Sequence, residues 1–149
     1  MRDIRRPDER EAIVERLTNG DFSETGAPIF ATIMELLIFA AAVGLREERR
    51  VAVPAGSRGI PVRIFENNQN EGFLFLIGLA VVGDAEILSD EREDEIARIF
   101  EEYAAGGLEV IEDWISQNPH DPSGLETLLA RLQDAVPAQE QPTENPSPL

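Results

Sequence analysis

"RIFEEYAAGGLEVIEDWI", Arg98–Ile115, reads as a strong helix interrupted at its centre by two adjacent glycines, Gly106 and Gly107. Such a pair suits a phosphate-binding loop, a hinge or a packing device, and each implies a different protein. Phase separates the three. At roughly 100° per residue from Ile96, the residues Phe100, Tyr103, Gly107, Val110, Ile111 and Trp114 all fall within about 60° of one direction. Asp94, Glu101, Glu102, Glu109 and Glu112 fall on the other side. A loop would have reset that phase. The spacing therefore predicts one long helix, or two nearly collinear ones, from about Asp90 to Gln117. Its acids face solvent and Gly107 faces the core, where it admits a second helix or a bend. Two interior glycines cost about 2 kcal/mol relative to alanine, so a packing reason is expected. Gly106 lies about 80° off the stripe and is expected to tolerate alanine at little cost. A phosphate loop would need G-x-x-x-x-G-K-[ST] after a strand, and the chain has no lysine.

The partner for such a helix lies upstream. "PIFATIMELLIFAAAVG", Pro28–Gly44, is the most apolar segment. It is shorter than the ~20 apolar residues of a membrane span and carries Glu35, so it reads as a buried core helix. A first helix opens at Pro7-Asp8, places Ile13 and Leu17 on one face and stops at Asn19-Gly20. "FLFLIGLAVV", Phe73–Val82, reads as a second apolar helix capped by Gly83, with a buried strand as the alternative. Ser123–Glu126 has capping-box spacing and opens a last helix with Leu125, Leu128, Leu129 and Leu132. The short runs "VAV" and "IPVRIF", separated by "PAGSRG", suggest a small β-hairpin. The proline-rich "PAQEQPTENPSPL" predicts a disordered tail. The expected fold is mainly α: a compact bundle of about five helices in one domain over residues 1–136, room for a small β-hairpin, and a tail over 137–149.

The 149-residue chain carries a net charge of −16, and all 13 of its cations are arginine. An acidic, lysine-free surface repels nucleic acid and membranes in bulk. It suits a high-salt cytoplasm, where screening weakens self-repulsion, although a GC-rich genome gives the same arginine bias. The charge is uneven. Ten arginines balance ten acids through Phe65, whereas Arg92, Arg98 and Arg131 face nineteen acids thereafter. The absence of cysteine excludes disulfides and thiolate chemistry. The N-terminus shows no apolar secretory stretch, so a cytoplasmic location is expected.

Catalytic constellations are sparse. The carboxylates Glu101, Glu102, Glu109 and Glu112 could hold a metal, but they fall on the expected solvated face with no histidine at E-x-x-H spacing. The sole histidine, His120, lies between proline-containing turns and reads as exposed. No Ser–His–Asp motif is present. Neither a metal, a cofactor nor a catalytic residue is therefore expected. Tyr103 and Trp114 are in phase with the core rather than set out as base-stacking platforms. Arg46, Arg49, Arg50, Arg58 and Arg63 are the candidate binding residues, because arginine grips phosphate or carboxylate through two parallel hydrogen bonds. The competing reading is ion pairing to Glu47, Glu48 and the acidic helix.

Three stretches together carry a resemblance: "MRDIRRPDEREAIVERL", "LLIFAAAVGLREERR" and "ILSDEREDEIARIFEEYAAGGLEVIEDWI". They resemble the small DNA phosphorothioation-associated proteins called Dnd system-associated protein 4, over the chain up to about Ile115. The resemblance implies an accessory role beside systems that replace a DNA phosphate oxygen by sulfur, and in the linked restriction and antiviral defence. It brings no catalytic motif. The expected function is that of a non-catalytic accessory protein that binds the protein subunits of such a system. The alternative is a module that contacts the DNA backbone through the five arginines. No membrane partner is expected.

Overall fold

The protein's structure, a computed structural model, describes residues 1–23 and 25–135. The tail expected over 137–149 lies outside the described residues. Six α-helices occur among them: α1 (Glu11–Thr18), α2 (Ile33–Arg46), α3 (Val62–Asn67), α4 (Glu71–Val82), α5 (Glu93–Ser116) and α6 (Leu125–Ala135). Two short strands, β1 (Ile4–Arg5) and β2 (Gly59–Ile60), pair antiparallel with Ile4 opposite Ile60. The mainly helical class read from the sequence is the observed one.

The long helix runs unbroken through both glycines. α2 packs along it more extensively than any other pair of elements. The contact is between backbones. A β-carbon on Gly107 would overlap the Ala40 carbonyl, and one on Gly44 would overlap the Tyr103 carbonyl. Residue numbers rise along α2 as they fall along α5, so the helices run antiparallel. Gly44 and Ala40 are one turn apart, as are Gly107 and Tyr103, so each helix turns a strip of small or absent side chains to the other's carbonyls. That geometry admits weak Cα–H···O contacts between the helices.

α2 begins five residues after Pro28. Thr32 Oγ1 accepts from the Glu35 N–H and caps it, while the Phe30 N–H donates to the Leu17 carbonyl and ties the preceding bends to α1. At its end, the Arg49 N–H donates to the Gly44 carbonyl, and Glu48 takes a left-handed conformation, φ 54°. That is a helix-ending motif normally served by glycine.

The expected hairpin is not formed by the runs that suggested it. Val51 N–H donates to the Glu102 carbonyl, so "VAV" crosses α5 instead of pairing with a neighbour. Gly59–Ile60 pairs with the N-terminal segment, and Pro61 (φ −63°) turns "VRIF" into α3. Burial outweighs local β propensity there: Phe65 is fully buried, edge-on to Phe100 with ring centroids 5.8 Å apart. The last helix also starts differently. Ser123 Oγ accepts only from the Leu125 N–H, whereas the buried Asp121 carboxylate accepts from the N–H groups of Gly124 and Thr127 and from the Thr127 hydroxyl.

Candidate interaction surface

The acids of α5 decide what the surface offers, and they are not a free solvated face. The N-terminal segment lies over them. Glu101 is 2% exposed. Its carboxylate accepts two bonds from the Arg2 guanidinium, at 2.7 and 2.9 Å, and one from the Arg5 N–H at 2.9 Å. The hydrogen bond to Glu101 raises the Arg2 guanidinium above its already high ordinary pKa. The Met1 ammonium binds Glu93 at 3.1 Å, a hydrogen bond that raises its pKa, and the Arg2 N–H donates to Asp94. Further along, Arg10 reaches Glu112 at 2.7 Å and Glu109 at 3.5 Å. The expectation of solvent-facing acids holds at Asp94, is only partly met at Glu102, Glu109 and Glu112, and fails at Glu101, because phase reports only which side of a helix is apolar. It does not report what the rest of the chain lays across the other side.

The five candidate arginines meet different fates. Arg49 lies 3.4 Å from Glu109 and 3.2 Å from Asp113. Its carbonyl sits against Gly106, whose β-carbon would overlap it. Gly106 is therefore as constrained as Gly107, and the expected tolerance of alanine there is corrected: the loop after α2 packs on α5 at that point. Arg50 donates to Glu102 at 2.8 Å and stacks over Tyr103, 5.4 Å from the ring centroid. Arg58 pairs with Glu11 at 3.3 Å, a carboxylate it shares with the buried Arg6. Arg46 and Arg63 are exposed and make no ion pair among the described residues. Arg46 borders an apolar groove of about 150 Å³ with Phe39, Val43, Trp114 and Leu132. Arg63 stands on α3. Tyr103 and Trp114 are half-buried against the core, and Arg131 covers the Trp114 ring at 5.3 Å.

A larger cleft, about 440 Å³, opens between the turn Asp8–Arg10, the loop 51–57 and α5, with Ala105 and Glu109 on its α5 side. It mixes Asp8, Glu9 and Glu109 with Arg10 and small apolar side chains, and no metal-binding group of three or more His, Asp or Glu side chains occurs among the described residues. His120 is exposed, beside Ser123 and Glu126 on a shallow depression. Burial pushes the Asp121 carboxyl up, but the hydrogen bonds from Thr127 and Gly124 outweigh it and hold the group below its ordinary value. Asp121 is thus a fixed helix cap rather than a proton carrier. No described helix is long and apolar enough to cross a membrane.

One feature escaped the sequence reading. α4 is apolar around its whole circumference, yet Phe73 and Leu76 on its outer face are 45% and 58% exposed. The signal was present in the absence of any polar face along "FLFLIGLAVV", but a run that apolar reads as buried on all sides.

No curated protein and no solved structure is detectably similar to the chain. A family model does match it, over residues 3–146. The match spans the close helix crossing, the arginine-clasped acids and the last helix, which lay beyond the stretch on which the resemblance rested. The chain belongs to the family described as DNA sulphur modification system-associated protein 4.

Proposed function

We propose that the protein is a non-catalytic accessory component of a phosphorothioation-linked defence or restriction system, acting by binding that system's larger protein subunits. The observation that carries this reading is the use of the arginines. Arg49, Arg50 and Arg58 are matched to carboxylates of the same chain. Matched arginines have less charge to offer a phosphate, and the remaining surface is strongly acidic. Family membership supplies the context, association with DNA sulphur modification. The reading needs neither metal nor cofactor, and puts the work in the cytoplasm beside the DNA being modified. Co-purification from a host expressing the neighbouring defence genes tests it. Stoichiometric recovery of at least one subunit is expected; recovery of the protein alone overturns it.

Direct contact with the DNA backbone is the second reading. It is favoured by the exposure of Arg46 and Arg63, with the paired Arg49, Arg50 and Arg58 able to exchange a carboxylate for a phosphate. Binding to duplex DNA, modified and unmodified, should then weaken steeply with salt, because each phosphate contact releases counterions. It should also weaken when Arg46 and Arg63 are replaced by alanine. Absence of binding at low salt removes this reading.

A further inference from the structure

We infer that the outer face of α4 is a docking site for a basic amphipathic helix of a partner protein. The inference rests on the reading that this protein works through protein contacts. Phe73, Leu76 and Ala80 fall on one side of α4 and are exposed. The turn Ala85–Leu88 packs on the same helix and brings Leu88, 41% exposed. Isolated exposed leucines need no explanation, but a helix without a polar face that leaves one side in water marks a surface awaiting a cover.

The charges around the face say what kind of cover. From Ile64 to Glu91 the chain contains no basic residue and six acids. Glu71, in the first turn of α4, is turned away from this face and has one carboxylate oxygen buried without a partner among the described residues, so it adds no charge to the stripe. Asp84 and Glu86 lie just beyond its other end, exposed, with Asp90 and Glu91 following. Arg92, the next cation, is held by both oxygens of Glu95 at 2.9 and 3.1 Å, leaving Asp84 and Glu86 uncompensated in number. The stripe is therefore apolar along its length and acidic at its Asp84 end.

That pattern selects among occupants. A second copy of this chain would bring two molecules of net charge −16 together, acid against acid, without supplying any cation for Asp84 and Glu86. DNA and anionic lipid surfaces carry the same sign as the rim. A helix with an apolar stripe flanked by lysine or arginine satisfies both features. Its stripe covers Phe73 and Leu76, and its flanking cations meet Asp84 and Glu86. The exposed leucines of α6 form a second apolar strip, but that helix leads directly into residues outside the description, and nothing shows what lies against it.

The probe is a fluorescein-labelled peptide of about 18 residues, five helical turns, with leucine on one face and lysine elsewhere. Its binding is followed by anisotropy at low salt. A peptide with glutamate in place of lysine and a scrambled leucine–lysine peptide serve as comparisons. The patterned lysine peptide should bind the full chain. Leu76→Ser should weaken it about tenfold or more, and Leu129→Ser on α6 should leave it unchanged. Both leucines are exposed, so neither change threatens the fold. Equal binding by wild type and Leu76→Ser, or by patterned and scrambled peptides, would overturn the inference, because attraction to an acidic surface alone would then explain it. So would sedimentation showing a wild-type dimer that Leu76→Ser dissociates, which would make a second copy the occupant. A defence-system subunit that co-purifies equally with wild type and Leu76→Ser sinks this inference and leaves the accessory reading intact. Patterned, Leu76-dependent peptide binding with no subunit recovered does the reverse.

Discussion

A methyl group at Gly107 would stand inside the Ala40 carbonyl, and one at Gly106 inside the Arg49 carbonyl. Both obstacles are backbone, which cannot rotate aside as a side-chain tip can. Gly107→Ala is therefore expected to destabilise by about 1–3 kcal/mol or more, as overpacking does. Gly106→Ala should also destabilise, despite alanine's better helix propensity. Denaturant melts measure both; a Gly106→Ala variant as stable as wild type would show that the loop after α2 does not pack as described. Glu101 makes a second residue-scale case. Arg2→Ala strands a buried carboxylate with one backbone donor, which should cost about 3 kcal/mol, the low end for a broken buried pair because Arg2 is a quarter exposed. Glu101→Gln removes the charge that burial penalises and leaves an arginine able to reach water, so it should cost less. Equal losses in the two melts would contradict this asymmetry. The phase of the α5 stripe was legible in sequence and placed Gly107 correctly. The partners of Gly106 and Glu101 were not, because they come from segments remote in the chain.

Among the elements, those with strong local signals were the legible ones. α1 and α5 follow their apolar periodicity and their stops, and α4 follows its unbroken apolar run, which Gly83 ends at φ 73° as its position implies. α3 was illegible because Val62, Ile64 and Phe65 favour strands locally, and only the burial of Phe65 against Phe100 reverses that preference. The cap of α6 was misassigned to Ser123 because a motif read by spacing gave no weight to a side chain further upstream. Asp121 makes three hydrogen bonds there. Asp121→Asn should cost about 1–3 kcal/mol at neutral pH, since at least one donor loses its acceptor. The carboxyl's folded value is depressed, so its contribution is complete above the ordinary aspartate value, about 3.9, and disappears as pH falls through the lower folded value. The stability gap between wild type and Asp121→Asn should therefore be constant from neutral pH down to about 4 and close below it. The only tryptophan, Trp114, lies under Arg131 of α6 and reports the melt by fluorescence. A gap that widens on acidification would show that the protonated carboxyl is the form the cap prefers.

At the scale of the molecule, the uneven charge was visible from the start, but its consequence was not. The first half, whose arginines equal its own acids in number, folds over the acids of α5, where Arg2, Arg10, Arg49 and Arg50 are paired. Exposed pairs are worth little each, whereas a net charge of −16 repels itself throughout. Raising NaCl from about 0.05 to about 1 M, which shortens the screening length to about 3 Å, should therefore raise the melting temperature. A fall would mean that the exposed pairs outweigh the repulsion. The same distribution underlies the functional account, in which an acidic protein with an uncovered apolar helix meets protein rather than DNA. The most direct test is co-purification with the neighbouring defence subunits, performed with and without exhaustive nuclease digestion. The account predicts that a subunit is recovered at the same stoichiometry after digestion. A subunit recovered only while DNA is intact would contradict it, because the protein would then be held by DNA and not by the subunit.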